Sequence, residues 1–244
     1  MLNKNYEEIT NKLVEWIRQK INNAGCQGAM IGLSGGIDSA VTAVLCKKAF
    51  PDNTLGLIMP CYSNPQDEKD ARKLAEKFDI SYKKIDLDFL FDQFLTTLEG
   101  EENVEKDNLA AANLKPRLRM SSLYYYAAKR NSLVVGTDNR SELKTGYFTK
   151  FGDGGIDIAP LGNLVKTEVR EVAKILDIPE KIITKQPSAG LWEGQTDEEE
   201  LGFSYEELDK YILTGEAREK VQNKVDKLAE QNKHKLETPP IPNF

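Results

Sequence analysis

A chain of 244 residues with 40% apolar and 30% charged side chains is long and apolar enough to bury a sizeable core without staples. Its formal charge of −6 argues against a sequence-independent nucleic-acid binder, and its one basic patch, Lys115, Arg117 and Arg119, suits only a small anionic ligand. Cys26, Cys46 and Cys61 are odd in number and lack CxxC spacing, which fits a reducing cytoplasm; the polar start MLNKNYEEIT is unlike a secretory signal, and no apolar run nears the roughly 20 residues of a membrane helix.

Tyr6 to Asn22 places Ile9, Leu13, Trp16 and Ile17 at helical spacing and predicts an amphipathic helix. Alternation follows: a strand over Ala29–Leu33, a helix over Ala40–Phe50, and a second strand over Leu55–Met59. Asn64-Pro65 reads as a cap followed by proline at the first helical position, and Ala71, Leu74, Ala75 and Phe78 continue that helix. A third strand is expected over Tyr82–Leu87 and an apolar helix over Phe89–Leu98. The acidic stretch Gly100–Asp107 reads as a surface loop. A long helix then includes Leu118, Leu123, Tyr126 and Ala127, with Pro116 expected to start, end or kink it. Tyr124, Tyr125 and Tyr126 point three ways from a helix, so they read as core or dimer packing. Ser132–Thr137 is a fourth strand and Thr167–Leu176 a further helix. Lys185–Asp197, rich in Pro, Gly and Ser, reads as a mobile lid. Ser204-Tyr-Glu-Glu207 opens a short helix by a capping box, and a last helix covers about Glu216–Lys233. The expectation is one α/β domain over residues 1–244, a mostly parallel sheet with helices on both faces and a helical C-terminal appendage from about residue 204. Ligands of such sheets bind outside the carboxyl ends of the strands, where the loop after Met59 and Gly136-Thr137-Asp138 converge.

The first strand leads into GLSGGIDS: Gly32, Leu33, Ser34, Gly35, Gly36, Ile37, Asp38 and Ser39. Strand, glycine turn and helix N-terminus present free backbone N–H groups to an anion, and the glycines let the main chain approach it. The loop lacks the lysine of GxxxxGK[ST]. A helix dipole contributes about 0.3–1 kcal/mol, too little to neutralise a triphosphate. Asp38 beside phosphate requires a bridging cation, and Mg²⁺ favours one or two carboxylates plus phosphate oxygens. Read alone, the turn also serves as a plain strand–helix connection in which Asp38 compensates the dipole.

SGGIDS resembles the pyrophosphate loop of the ATP pyrophosphatase superfamily. Together with NLKPRLRM, GTDNRSE, GYFTKFGDGG, DIAPLGNLVKTEV and TDEEELGFSYEELD, in that order, it is similar to ammonia-dependent NAD synthetases. The resemblance implies a Rossmann-like adenine nucleotide alpha hydrolase fold and an ATP site made of Gly32 to Ser39, Thr137, Lys166 and Ser188, the last at a position where relatives more often carry Thr. It implies Asp38 and Glu142 as magnesium ligands, with Lys166 supplying charge to the triphosphate. For deamido-NAD it points to Arg117 (or Arg119, one register away), Lys150, Asp157, His234 and Lys235, and it implies a homodimer with the dinucleotide site at the interface. By residue type alone Lys150 and Lys166 also read as solvated surface charges and Asp157 as a turn residue. On the same footing Glu142 reads as a partner of Arg140 or Lys144, and the lone His234 as exposed.

The implied reaction is adenylation of the nicotinate carboxylate of deamido-NAD by ATP, releasing pyrophosphate, then amidation by ammonia to give NAD and AMP. No Ser-His-Asp or Cys-His arrangement offers a nucleophile, so charge stabilisation carries the chemistry. The synthetase blocks use nearly all of the chain, so free ammonia rather than a fused glutaminase is the expected nitrogen source. Rival readings are a GMP-synthetase-like amidotransferase, a tRNA thiolase, a Walker-type kinase and a nucleotide-binding sensor that does not turn over.

Overall fold

The computed structural model describes residues 4–100, 106, 108–188 and 196–243. Helix α1 (Tyr6–Asn23) is capped by Asn5 and leads to strand β1 (Gly28–Gly32) and helix α2 (Ile37–Ala49). Strand β2 (Thr54–Ile58), α3 (Pro65–Lys77), β3 (Ser81–Lys84) and α4 (Asp88–Glu99) continue the alternation. The long α5 (Leu109–Arg130) precedes β4 (Ser132–Val134) and a short α6 (Arg140–Thr145). After them come α7 (Lys166–Ile175), α8 (Glu180–Ile183), α9 (Asp197–Leu201), α10 (Tyr205–Thr214) and α11 (Glu219–Asn232). Asn64 caps α3 with Pro65 at its first turn, and Ser204 and Glu207 form the capping box of α10.

The four strands are parallel in the order β3-β2-β1-β4. Side-chain alternation along them builds two cores. Ala29, Ile31 and Ile58 face α1, α2 and α7, while Met30, Leu55, Leu57 and Val134 face α4 and α5. Burying each such side chain contributes about 1.5–3 kcal/mol, which fixes the register on both faces. A third cluster, Leu201, Phe203, Tyr205, Leu208, Val221 and Val225, joins α9, α10 and α11.

Three expected elements differ in their bounds or interior. Helix α2 starts at Ile37 rather than Ala40, because Gly36 is its cap and Asp38 belongs to its first turn. β4 ends at Val134, and the sheet continues only as the single bridge Val135–Ile158. Pro116 sits inside α5, neither starting nor ending it; tertiary packing, with Pro116 buried, overrides the local preference. The acidic loop Gly100–Asp107 and the lid Lys185–Asp197 fall largely outside the described residues.

Candidate active site

A cleft of about 1160 Å³ opens at the carboxyl ends of β1, β2 and β4. The loop after β1 enters it through Gly32, Leu33, Ser34, Gly36, Ile37, Asp38 and Ser39. Gly35 turns with φ +78, and a Cβ there would lie 2.3 Å from the Asp67 carbonyl oxygen. Only glycine satisfies both the left-handed backbone and the close approach of α3. Ser39 Oγ donates to Gly36 O (3.0 Å) and lies 2.9 Å from Ser34 Oγ, so the hydroxyls brace the loop internally.

Asp38 is positioned from two sides. Asn139, fully buried, donates through Nδ2 to Asp38 Oδ1 (2.9 Å), while its Oδ1 caps α6 by accepting from Ser141 N and Glu142 N. Glu142 closes that capping box, accepting from Asn139 N through Oε2 (3.0 Å), which leaves Oε1 directed elsewhere. The free oxygens of both acids meet one ammonium: Lys166 Nζ lies 2.5 Å from Asp38 Oδ2 and 3.1 Å from Glu142 Oε1. Lys166 is 3% exposed, so the surface-charge reading fails for it, and Glu142 pairs with Lys166 rather than with Arg140 or Lys144.

Lys166 opens α7, and α7 is docked on α6 by one carboxylate from α10. Asp209 accepts from Ser141 Oγ (2.5 Å) and Thr167 N (2.7 Å), and Ser141 Oγ accepts in turn from Lys166 N. Two helix N-termini bearing site residues are thus held together by a buried charge, which the macrodipoles favour.

The cluster is electrostatically tense. Burial pushes the Glu142 carboxyl up to about 7; the neighbouring Asp38 adds to this and Lys166 opposes it. Burial works against the Lys166 charge, but Asp38 and Glu142 outweigh it and raise its pKa. Asp138, lining the same cleft, is raised by burial and by Asp153, Glu142 and Asp38, and its Oδ2 has no hydrogen-bond partner among the described residues. One further cation stands beside the phosphate loop: Lys185 Nζ donates to Asp67 Oδ1 (2.6 Å) and to Gly35 O (3.2 Å).

Two carboxylates converging on one point beside a helix N-terminus offer hard oxygens of the kind that suits a divalent cation also bound by phosphate, although no cluster of three or more potential ligand residues forms among the described residues. Thr137 and Ser188 also line the cleft, Ser188 at its exposed rim.

The residues expected for the dinucleotide are more dispersed. Of the two arginines, Arg119 lines the cleft and ties Met59 O (3.0 Å) to Ser63 Oγ (3.1 Å), whereas Arg117 is exposed, with a single long contact to Lys150 O. Asp157 is engaged at the end of β4, accepting from Val134 N (2.8 Å) and Tyr124 Oη (3.0 Å). Lys150 Nζ donates to the carbonyl of the exposed His234, and Lys235 Nζ, at the cleft wall, donates to Gly146 O and Phe148 O. These lysines fasten the segment following α11 to the loop after α6. Tyr125 is exposed, and Tyr124 and Tyr126 pack on the α5 side of the sheet.

Asn139, Tyr205 and Asp209 were not among the expected site residues, and Asp138 was expected only as part of the Gly136-Thr137-Asp138 segment, with no role of its own. For Asn139 a signal exists, since Asn139-Arg-Ser-Glu142 is a capping-box pattern. Asp209 lies 43 residues beyond Lys166, and no local pattern links them.

The family model described as NAD synthase matches residues 9–239. An NH(3)-dependent NAD(+) synthetase of Carboxydothermus hydrogenoformans is 53% identical over 238 residues, covering 98% of each chain. Among solved structures, an NMN synthetase from Francisella tularensis superposes with a TM-score of 0.94 at 40% identity, covering 99% of this chain and 100% of that one. An NH3-dependent NAD synthetase from Campylobacter jejuni gives 0.80 at 34% identity, covering 98% and 100%. With a match of this length and identity, the chain belongs to the NAD synthase family.

Proposed function

We infer that this chain is an ammonia-dependent NAD synthetase. The observation that carries the reading is the meeting of Asp38, Glu142 and Lys166 at the mouth of the SGGIDS loop in a cleft of a NAD synthase fold. The nicotinate carboxylate oxygen of deamido-NAD attacks the α-phosphorus of ATP; the bond to the β-phosphate bridge breaks and pyrophosphate leaves. Ammonia then attacks the acyl carbon, AMP departs and one proton is released. Amide formation becomes feasible because AMP leaves where oxide could not.

The residues divide this work by position. The N–H groups at the start of α2 receive the departing pyrophosphate, and the Ser34 and Ser39 hydroxyls hold the loop in shape around it. Lys166, buried and charged, stabilises the negative charge that develops there, in a setting where such an interaction is worth more than in water. Asp38 and Glu142 would hold Mg²⁺, which when bound neutralises phosphate charge. Thr137 and Ser188 belong to the ATP side; Arg117 or Arg119, Lys150, Asp157, His234 and Lys235 belong to the dinucleotide side. Arg119 is the arginine favoured here, because it faces the cleft.

The enzyme acts as a cytoplasmic homodimer in this reading. The exposed Phe89, Leu90, Phe94 and Leu98 on α4, with Tyr125 of α5, support an apolar contact face. A second substrate reading is supported by the likeness to the Francisella protein: the site also amidates the nicotinate mononucleotide. The deciding assay supplies ATP, Mg²⁺ and ammonium with either deamido-NAD or nicotinate mononucleotide, and measures the amide product, AMP and pyrophosphate. Folded protein that forms neither amide refutes the reading, and ADP in place of AMP indicates a kinase.

A further inference from the structure

The point shared by Asp38 Oδ2 and Glu142 Oε1 is filled by the chain's own cation, Lys166 Nζ, at 2.5 and 3.1 Å. An ammonium at those distances and a divalent ion bound to the same two oxygens exclude each other. Lys166 has a second attractive neighbour. Its Nζ stands 4.9 Å from the centroid of the Tyr205 ring, within cation–π range. Tyr205 is 1% exposed, and its hydroxyl donates to Asp197 Oδ2 (3.0 Å), which fixes the ring. Asp197 opens α9, and its N–H donates to Pro187 O (3.1 Å), beside Ser188 on the cleft rim.

We propose that Lys166 is an internal counter-ion that competes with a divalent cation for the Asp38–Glu142 seat, and that Tyr205 is the positioning residue whose ring steadies the ammonium in that seat. Without the ring, Asp38, Glu142 and the Asp197 charge are the remaining attraction and the lysine leaves the seat more readily. The inference rests on the reading that Asp38 and Glu142 hold the metal.

Direct titration of the nucleotide-free protein with Mn²⁺, reading free Mn²⁺ by electron paramagnetic resonance at pH 8, tests it without turnover. Lys166→Met, which removes the competitor, tightens Mn²⁺ binding by about tenfold or more. Tyr205→Phe keeps the ring and matches the parent protein, whereas Tyr205→Leu tightens binding by roughly 5- to 30-fold. Both tyrosine variants lose the Asp197 hydrogen bond, so their difference isolates the ring. They also retain all three ionised groups, so they decide the matter even if Lys166→Met does not fold. Lys166→Met binding no more tightly than the parent, or Tyr205→Leu equal to Tyr205→Phe, overturns the proposal. Mn²⁺ binding to no form, with ATP present or absent, overturns the metal reading beneath it.

Discussion

Gly35→Ala offers the sharpest test of the phosphate loop, because two of its consequences separate. The residue holds φ +78, and forcing alanine into that region costs about 1–2 kcal/mol. Gly25 provides the control: its φ is +70 and a Cβ there meets nothing within 4 Å, so Gly25→Ala carries the same strain and no collision. At Gly35 the added Cβ sits 2.3 Å from the Asp67 carbonyl oxygen, 3.0 Å from its carbon and 3.1 Å from its Cα. These are backbone atoms of α3, which cannot rotate aside as a side chain would. To restore even a 3.0 Å contact, the loop or the helix must move by at least about 0.7 Å. Misplacement on the order of 1 Å costs about a hundredfold in rate when chemistry depends on positioning. Both variants therefore unfold in urea about 1–2 kcal/mol more easily than the parent, with Gly35→Ala the lower of the two. Only Gly35→Ala loses about a hundredfold or more in kcat/KM for ATP, measured by pyrophosphate release. Gly35→Ala with parental kcat/KM would falsify the placement of the triphosphate on this loop, and equal losses in both variants would assign the effect to general destabilisation.

Asp38→Ala removes the acid that both Asn139 and Lys166 address, and NAD formation at saturating Mg²⁺ falls at least about a thousandfold; activity within tenfold of the parent refutes its metal role. Asp209→Ala strands Ser141 Oγ and the Thr167 N–H, so urea unfolding shows a loss of about 2–5 kcal/mol, and a loss below about 0.5 kcal/mol contradicts its bridging role. Glu142 makes the ligand-free protein lose stability as pH rises from about 4.5 to about 7, because the folded carboxyl keeps a proton that the unfolded one has released. The raised Lys166 changes stability only at far higher pH, and the effect of Glu142 is on the order of 3 kcal/mol across that window. Urea midpoints at pH 5 and 7.5 should therefore differ less in Glu142→Gln than in the parent, and an unchanged difference refutes the assignment.

Periodicity located the βα alternation because α1 to α5 and α7 each bury a face against the sheet, which forces an apolar spacing into the local sequence. It missed the start of α2 because Gly36, its cap, and Asp38, in its first turn, are poor helix formers. It missed α6 because six residues are too few to show a period, although the Asn139–Glu142 box marks its start. By residue type alone Lys166 could not be told from a surface lysine, since its burial depends on partners 128 and 24 residues away, and only the resemblance singled it out.

The order of glycines, hydroxyls and Asp38 after an apolar strand is a local property, and the sequence by itself determined that a glycine turn of the kind that suits phosphate begins a helix there. Which cation serves that turn is not local. The tertiary structure decided it by docking α7 on α6 through Asp209 of α10, so that Lys166 reaches Asp38 and Glu142 under the Tyr205 ring. The physical reason is that burial and Coulomb attraction act through space, and only the packed chain sets those distances.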